Sequence, residues 1–202
     1  SFAEEQTEVV KQTGAVNTLT FKNGKVYGDN TDVVGFQRSL DQETVEKNIA
    51  NKKCLVLGAG GAARAVVCAL NNLKGEVYVC NRTFEKALKI QQDFGIKPEV
   101  IEQKNLVTVV GEMGFIVNTT SLGLANTENT MVDFKQVDPQ AFVYDLIYSP
   151  KLTKFLSAAK ERNLGYQNGM KMLIEQAAES FKIWHDILPK NSAELMNILE
   201  DL

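Results

Sequence analysis

No run in this 202-residue chain is apolar for long enough to cross a bilayer. The opening "SFAEEQTEVVKQ" is polar and acidic and has no signal-peptide pattern. No internal repeat or low-complexity tract is visible. Charge of one sign is lacking too: 22 Lys and Arg stand against 25 Asp and Glu, for a net charge of −3. That balance gives no ground for a nucleic-acid or membrane-surface partner. Histidine is scarce; the single His185 follows the single Trp184 near a helix end and reads as a structural or surface residue. There are three cysteines, Cys54, Cys68 and Cys80, with no CxxC and no Cys/His cluster. No metal site is expected, and the thiols read as buried and reduced. The chain therefore reads as cytoplasmic. Apolar residues are plentiful: 44% are hydrophobic and 23% charged, enough core for one large domain or two small ones.

Apolar patterning sets out the elements. Residues 2–12 carry weak helical spacing. "AVNTLTF", Asn23-Gly24 and "KVYG" read as a hairpin. "NTDVVGFQRSLD" reads as a loop entering a helix, and "QETVEKNIANKK" as a linker or surface helix. Strands are predicted at "KCLVLG", "GEVYVC", "KPEVI", "GFIVNTT" and "AFVYDLIY", the last ending at Pro150. Helices are predicted over Ala62–Leu73, Thr83–Phe94 with Thr83 as N-cap, Leu152–Arg162, Asn168–Leu188 and Ser192–Leu202. "SLGLANTENT" reads as a polar loop. Strands alternating with helices predict an α/β fold, a doubly wound parallel sheet of Rossmann type with helices on both faces.

The densest signal is "CLVLGAGGAARAVVCAL", Cys54 to Leu70. It fits strand, G-x-G-x-x-G/A turn and helix. Gly58 permits the tight turn, Gly60 lets the backbone approach a pyrophosphate, and Ala63 lets the helix pack close on the strand. N–H groups at the helix start then face the anion. A plain tight turn needs one glycine rather than three.

The tip of the next strand selects the dinucleotide. An NAD site usually places Asp or Glu there to hold the ribose 2′-hydroxyl. This chain has Asn81-Arg82-Thr83 and then Lys86. Two cations and no carboxylate suit a 2′-phosphate, and Arg82 can stack on adenine. As mere surface charges they would oppose the helix dipole. NADP is the cofactor expected.

A second polar cluster lies outside this unit: Asn17 of "GAVNT", Thr31 and Asp32 of "GDNTD", Tyr148 past a strand end, and Gln176 on an otherwise apolar helical face. Singly, each of the first three could be a local cap. Gln176 on an apolar face wants a polar partner. Phe181 and Trp184, at helical spacing, read as core.

"GAVNT", "GDNTD", "VLGAGGAARA", "NRT", "VNTTSLG", "YDLIYSP" and "NGMKMLIEQAAESFKIW" follow one another between residue 14 and about residue 188. In that order they resemble the shikimate dehydrogenase family, which reduces 3-dehydroshikimate with NADPH. The resemblance implies that Asn17, Thr31, Asp32, Tyr148 and Gln176 hold the substrate, with Asp32 catalytic. It implies that Gly58, Ala59, Gly60, Gly61, Ala62, Asn81, Arg82, Thr83 and Lys86 hold the cofactor, with Leu146 and Gly169 at its nicotinamide end. Residues 1–34, joined in space by 168–202, would be the remnant of a second α/β domain for substrate, and 35–167 the nucleotide domain. Two departures stand out. The family's front part, with a serine pair and the lysine that works with the aspartate matching Asp32, has no counterpart here, so the chain is expected to be truncated and possibly inactive alone. Uncovered apolar residues on the last long helix (Met172, Leu173, Phe181, Trp184) would then favour a homodimer. Lys86 stands where the family often has Arg. The rivals are a quinate/shikimate dehydrogenase of relaxed cofactor choice and a non-catalytic NADP-binding module.

Overall fold

The computed structural model of the chain describes residues 3–93, 98–121 and 131–189. The chain enters through β1 (Glu5–Gln6) and α1 (Glu8–Thr13), where weak helical spacing alone was expected. β2 (Thr18–Lys22) and β3 (Lys25–Asp29) form the predicted hairpin, and β1 pairs parallel to β3 on its other side. The turn is Asn23-Gly24, both at positive φ (53° and 73°), as a two-residue hairpin matched to strand twist requires.

α2 (Asp32–Ser39) buries Val33 and Phe36 on one face. α3 (Gln42–Thr44) is capped by the Asp41 carboxylate, which accepts from Thr44 N–H at 2.7 Å, and runs on into a π-turn over Val45–Ile49. The "linker or surface helix" is therefore helical, and Ile49 anchors it in the core.

The larger sheet is built from β4 (Lys53–Leu57), β5 (Glu76–Cys80), β6 (Glu99–Ile101), β7 (Phe115–Asn118), β8 (Phe142–Asp145) and β9 (Gly165–Asn168). Its order is β6-β5-β4-β7-β8-β9, and every pair is parallel. The crossovers are α4 (Gly61–Asn72), α5 (Phe84–Asp93), α6 (Leu106–Val109) with flanking 3₁₀ turns, and α7 (Lys154–Glu161); α8 (Met170–His185) follows β9. β4 shows why its sequence is unbroken apolar. Cys54 and Val56 face the layer of α2, α4 and α8, while Leu55 and Leu57 face that of α6 and α7. All three cysteines are buried and free, as expected, and burial pushes the Cys54 thiol up to about 12.

Two expectations give way. β9 was not predicted: "GYQN" carries two polar residues and has a strand on one side only. The reading of Phe181 and Trp184 as core gives way, at 41% and 53% exposed, whereas the uncovered face expected on that helix is seen there and at Leu173 but not at buried Met172. The cause is length. α2, eight residues long, covers the start of α8, where Met172 is buried, while sixteen-residue α8 runs on past it. Trp184 still donates its Nε1–H to the Leu19 carbonyl at 3.0 Å. The helix expected at Ser192–Leu202 and most of the "SLGLANTENT" loop lie outside the described residues.

Candidate active site

The strand order reverses at β4, with β5 and β6 on one side and β7, β8 and β9 on the other. In such sheets a ligand crevice opens at the carboxyl ends of the strands on either side of the reversal. Here those ends carry the glycine loop after β4 and the segments after β7 and β8. Thr119, Thr120, Ser121, Leu146, Ile147, Tyr148 and Ser149 line a cavity of about 460 Å³.

Gly58 has φ +118°, and a Cβ there would strike Thr119 Oγ1 at 2.4 Å. This is the sharp turn that lifts the chain from β4 into α4. Gly60 is the N-cap of α4, with no side-chain cap, and a Cβ on it would meet nothing within 4 Å. The helix start is open to an anion from outside. Ala63 is fully buried, as close helix–strand packing demands. Ala59, Gly61 and Ala62 complete the loop, and Ala15 reaches within 3.8 Å of the Cβ position of Gly61. These residues fit a dinucleotide pyrophosphate.

Asn81, Arg82, Thr83 and Lys86 follow β5 around the start of α5. Asn81 turns inward and donates its amide to the Thr83 carbonyl at 2.8 Å. Arg82, Thr83 and Lys86 are exposed. Neither cation forms a side-chain hydrogen bond or ion pair among the described residues, whereas Arg38 and Arg64 are paired with Glu179 and Asp93.

The polar cluster assembles from three elements. Thr31 N–H donates to Asn17 Oδ1 at 2.9 Å. A backbone N–H can only donate, so it fixes the amide: oxygen inward, nitrogen outward. The outward Nδ2 then donates to Asp32 Oδ1 at 2.9 Å. The Thr31 hydroxyl lies 3.3 Å from Gln176 Oε1 on α8 and 3.0 Å from Ser180 Oγ. Thr18 Oγ1 lies 2.9 Å from the same Ser180 hydroxyl. Asp32 is the first residue of α2 and not its N-cap, which is Thr31, and Asn30 Oδ1 accepts the Asp32 N–H at 3.0 Å. Burial holds the Asp32 carboxyl above its ordinary range, against the Asn17 hydrogen bond. Among the described residues no cation pairs with it and its Oδ2 carries no hydrogen bond.

Four of the five expected substrate residues therefore meet. Tyr148 does not join them; it stands 44% exposed among the residues that line the 460 Å³ cavity, its hydroxyl unbonded among the described residues. Leu146 and Gly169 touch so closely that a Cβ on Gly169 would lie 1.9 Å from the Leu146 carbonyl oxygen. Sequence reasoning missed Thr18 and Ser180, small hydroxyls without a motif, and the buried Asp145 and Asn118 behind the cavity.

A parallel sheet with an open glycine loop at its reversal, unpaired cations beyond the next strand and a wired polar cluster nearby defines a dinucleotide-binding α/β protein of the dehydrogenase type. Residues 39–150 match the family described as Shikimate / quinate 5-dehydrogenase. The shikimate dehydrogenase (NADP(+)) of Pelagibacter ubique is 38% identical over 200 residues, covering 98% of this chain and 73% of the relative. The crystal structure of the Aquifex aeolicus shikimate dehydrogenase superposes with a TM-score of 0.86 at 38% identity, over 97% of this chain and 71% of that one. The Thermus thermophilus enzyme, solved with NADP(H) and shikimate, gives 0.81 at 33%, over 93% and 69%. The chain belongs to the shikimate/quinate dehydrogenase family.

Proposed function

We propose that this protein is an NADP-dependent shikimate dehydrogenase that reduces 3-dehydroshikimate to shikimate. One observation carries the assignment of its site: α8 joins the two half-sites. Gly169 at its start touches Leu146, at the nicotinamide end, and Gln176 seven residues on meets Thr31. Seven residues of helix span roughly 10 Å, which suits a small substrate set beside a cofactor ring.

NADPH supplies the hydride when bound. The open start of α4 holds the pyrophosphate, and Arg82 and Lys86 hold the 2′-phosphate, with Asn81 and Thr83 shaping the turn between strand and helix. Asn17, Thr31 and Gln176 orient the substrate hydroxyls, and Tyr148 closes on the substrate from the cavity that it lines. Asp32 handles the proton. Its Oδ1 is engaged by Asn17, so Oδ2 is the oxygen left to deliver a proton to the developing alkoxide, and to take it back in the reverse direction. A carboxyl raised by burial keeps that proton to a higher pH. Residues 1–34 with the chain after 168 form the substrate side, and 35–167 the nucleotide side. The same proposal makes the enzyme cytoplasmic and, through exposed Phe181, Trp184 and Ile187, a homodimer, which sedimentation velocity checks.

The assay is NADPH formation from shikimate and NADP⁺, with quinate as competitor. Turnover that depends on shikimate is expected with the family's front part, which carries the serine pair and lysine, supplied, and little or none without it. NADP(H) binding with no turnover on either alcohol even then would replace the enzyme with a non-catalytic NADP-binding module.

A further inference from the structure

Behind the crevice sits a carboxylate that the proposed chemistry does not use. Asp145, the last residue of β8, is fully buried. Its register partner on β7 is Asn118, also buried. Asp145 Oδ1 accepts from Asn118 Nδ2 at 2.9 Å and from the Ile147 N–H at 3.1 Å. Its Oδ2 accepts from Thr153 Oγ1 at 2.6 Å, and that hydroxyl in turn accepts the N–H of Leu156 at the start of α7. On its other side, Asn118 Oδ1 accepts from the Thr120 N–H at 3.0 Å and the Thr120 hydroxyl at 2.7 Å. Asp145 forms no ion pair with any described residue.

The two side chains thus tie together the segments after β7 and β8, which are also joined by the Leu146 N–H donating to the Asn118 backbone carbonyl at 3.0 Å. Thr120 belongs to the segment after β7, Ile147 to the segment after β8, and both line the 460 Å³ cavity. Between Asp145 and Ile147 lies Leu146, whose carbonyl meets Gly169, and directly after Ile147 comes Tyr148. The donors to Asp145 are buried and those from Thr120 to Asn118 part-buried, and each is satisfied by a correctly placed acceptor, so the network holds one geometry of both loops and penalises others. Burial raises the Asp145 carboxyl above its ordinary range, with the bonds from Thr153, Ile147 and Asn118 opposing. That is the signature of an acceptor held by neutral donors rather than by a counter-ion.

We propose that Asp145, acting through Asn118 and Ile147, is a positioning residue that sets the Thr119–Ser121 and Leu146–Tyr148 segments jointly, and so governs the binding of both cofactor and substrate. The proposal rests on the dehydrogenase assignment for its kinetic consequences, and on the hydrogen-bond network alone for its geometric ones.

The test compares Asp145→Asn, Asp145→Ala, Asn118→Asp and the double variant Asn118→Asp/Asp145→Asn in the full chain. Asparagine at 145 can keep Oδ1 toward Asn118 and Ile147 and alters the Thr153 link alone, where its amide donates to Oγ1 and the Thr153 hydroxyl proton loses its acceptor. It should stay within about threefold of wild type in kcat and both KM values. Alanine strands three buried donors, on Asn118, Ile147 and Thr153, and should raise KM for shikimate and for NADP⁺ together, each at least tenfold. Asn118→Asp sets two carboxyls side by side, which must share a proton, and the pair titrates as a unit. Its kcat/KM should fall with rising pH where the wild type stays level, and the double variant should restore the level profile. Unchanged KM values in a folded Asp145→Ala, or a wild-type pH profile in Asn118→Asp, would overturn the proposal. If Asp145→Ala does not fold, the Asn118→Asp profile decides. Amide hydrogen exchange at Thr120 and Ile147 reads the network without turnover: slow in wild type and Asp145→Asn, and faster in Asn118→Asp at high pH. Identical exchange in all the folded variants would overturn it even if the wild type proved inactive on shikimate.

Discussion

The two parts of the proposed site are built on opposite plans. On the substrate side, Asn17, Thr18, Thr31, Gln176 and Ser180 satisfy one another before any ligand arrives. On the nucleotide side, the loop is bare at Gly60 and the cations Arg82 and Lys86 stand unbonded among the described residues. The difference fits what the proposed function asks of each side. A proton-handling carboxylate needs its partners fixed in advance, because misplacement costs rate. A phosphate site can draw its order from the ligand, since charge-assisted hydrogen bonds form once the anion enters.

If the wired side governs chemistry, its largest failure is kinetic. Asp32→Asn should lower kcat about 10²-fold or more, the scale of a lost proton-transfer group, and leave NADP(H) affinity within twofold. Steady-state kinetics with calorimetry checks both. In the oxidation direction Asp32 must be ionised to accept a proton. With its carboxyl raised, the wild-type rate should fall as pH drops toward a point above the ordinary aspartate value, and Asp32→Asn should lack that limb.

The open side should fail in affinity. Arg82→Ala should weaken NADP(H) at least tenfold, since a charge-assisted phosphate contact is worth roughly 1.5–3 kcal/mol. Lys86→Ala, losing a point charge without a planar fork, should cost less. A smaller effect comes from the packing that holds the wired side. A Cβ on Gly35 of α2 would lie 2.6 Å from Gln176 Cβ. Gly35→Ala should therefore push α8 away and raise KM for shikimate severalfold, with KM for NADP⁺ little changed.

The smallest effect is on stability, and its sign is opposite. Asp32 has a raised pKa in the fold, so the folded state binds its proton more tightly than the unfolded state. Stability from this group is present at low pH and is lost as pH rises from the ordinary aspartate value to the raised one. At neutral pH the buried charge is a cost. Asp32→Asn should raise Tm by a few degrees, a gain of about 0.5–2 kcal/mol of the kind that relieves a functional site.

How much of this was legible depends on whether a residue announces itself locally. The glycine loop did, because Gly58 answers to a backbone φ and Gly60 to a missing side chain. The Asn23-Gly24 hairpin and the apolar strands β4, β5, β7 and β8 did too, since their two-sided burial writes itself as unbroken hydrophobicity. β9 did not: at the sheet edge, half polar, it shows no period. The Thr18–Ser180 contact joins residues 162 apart in sequence, and no spacing rule reaches that far. Phe181 and Trp184 misled, because helical spacing reports a stripe and not whether a partner helix is long enough to cover it. Asp145 was hidden inside "YDLIYSP", a single carboxylate at a strand end whose importance lies in what register sets beside it.

The most direct measurement is calorimetric titration of NADP(H) and NAD(H) into the wild type, Asp32→Asn and Arg82→Ala. With an open phosphate rim and a separate wired cluster, the wild type and Asp32→Asn should both favour NADP(H) by at least tenfold, and Arg82→Ala should lose that preference. Equal affinities in the wild type, or a preference lost in Asp32→Asn as fully as in Arg82→Ala, would contradict the division of the proposed site into two independent sides.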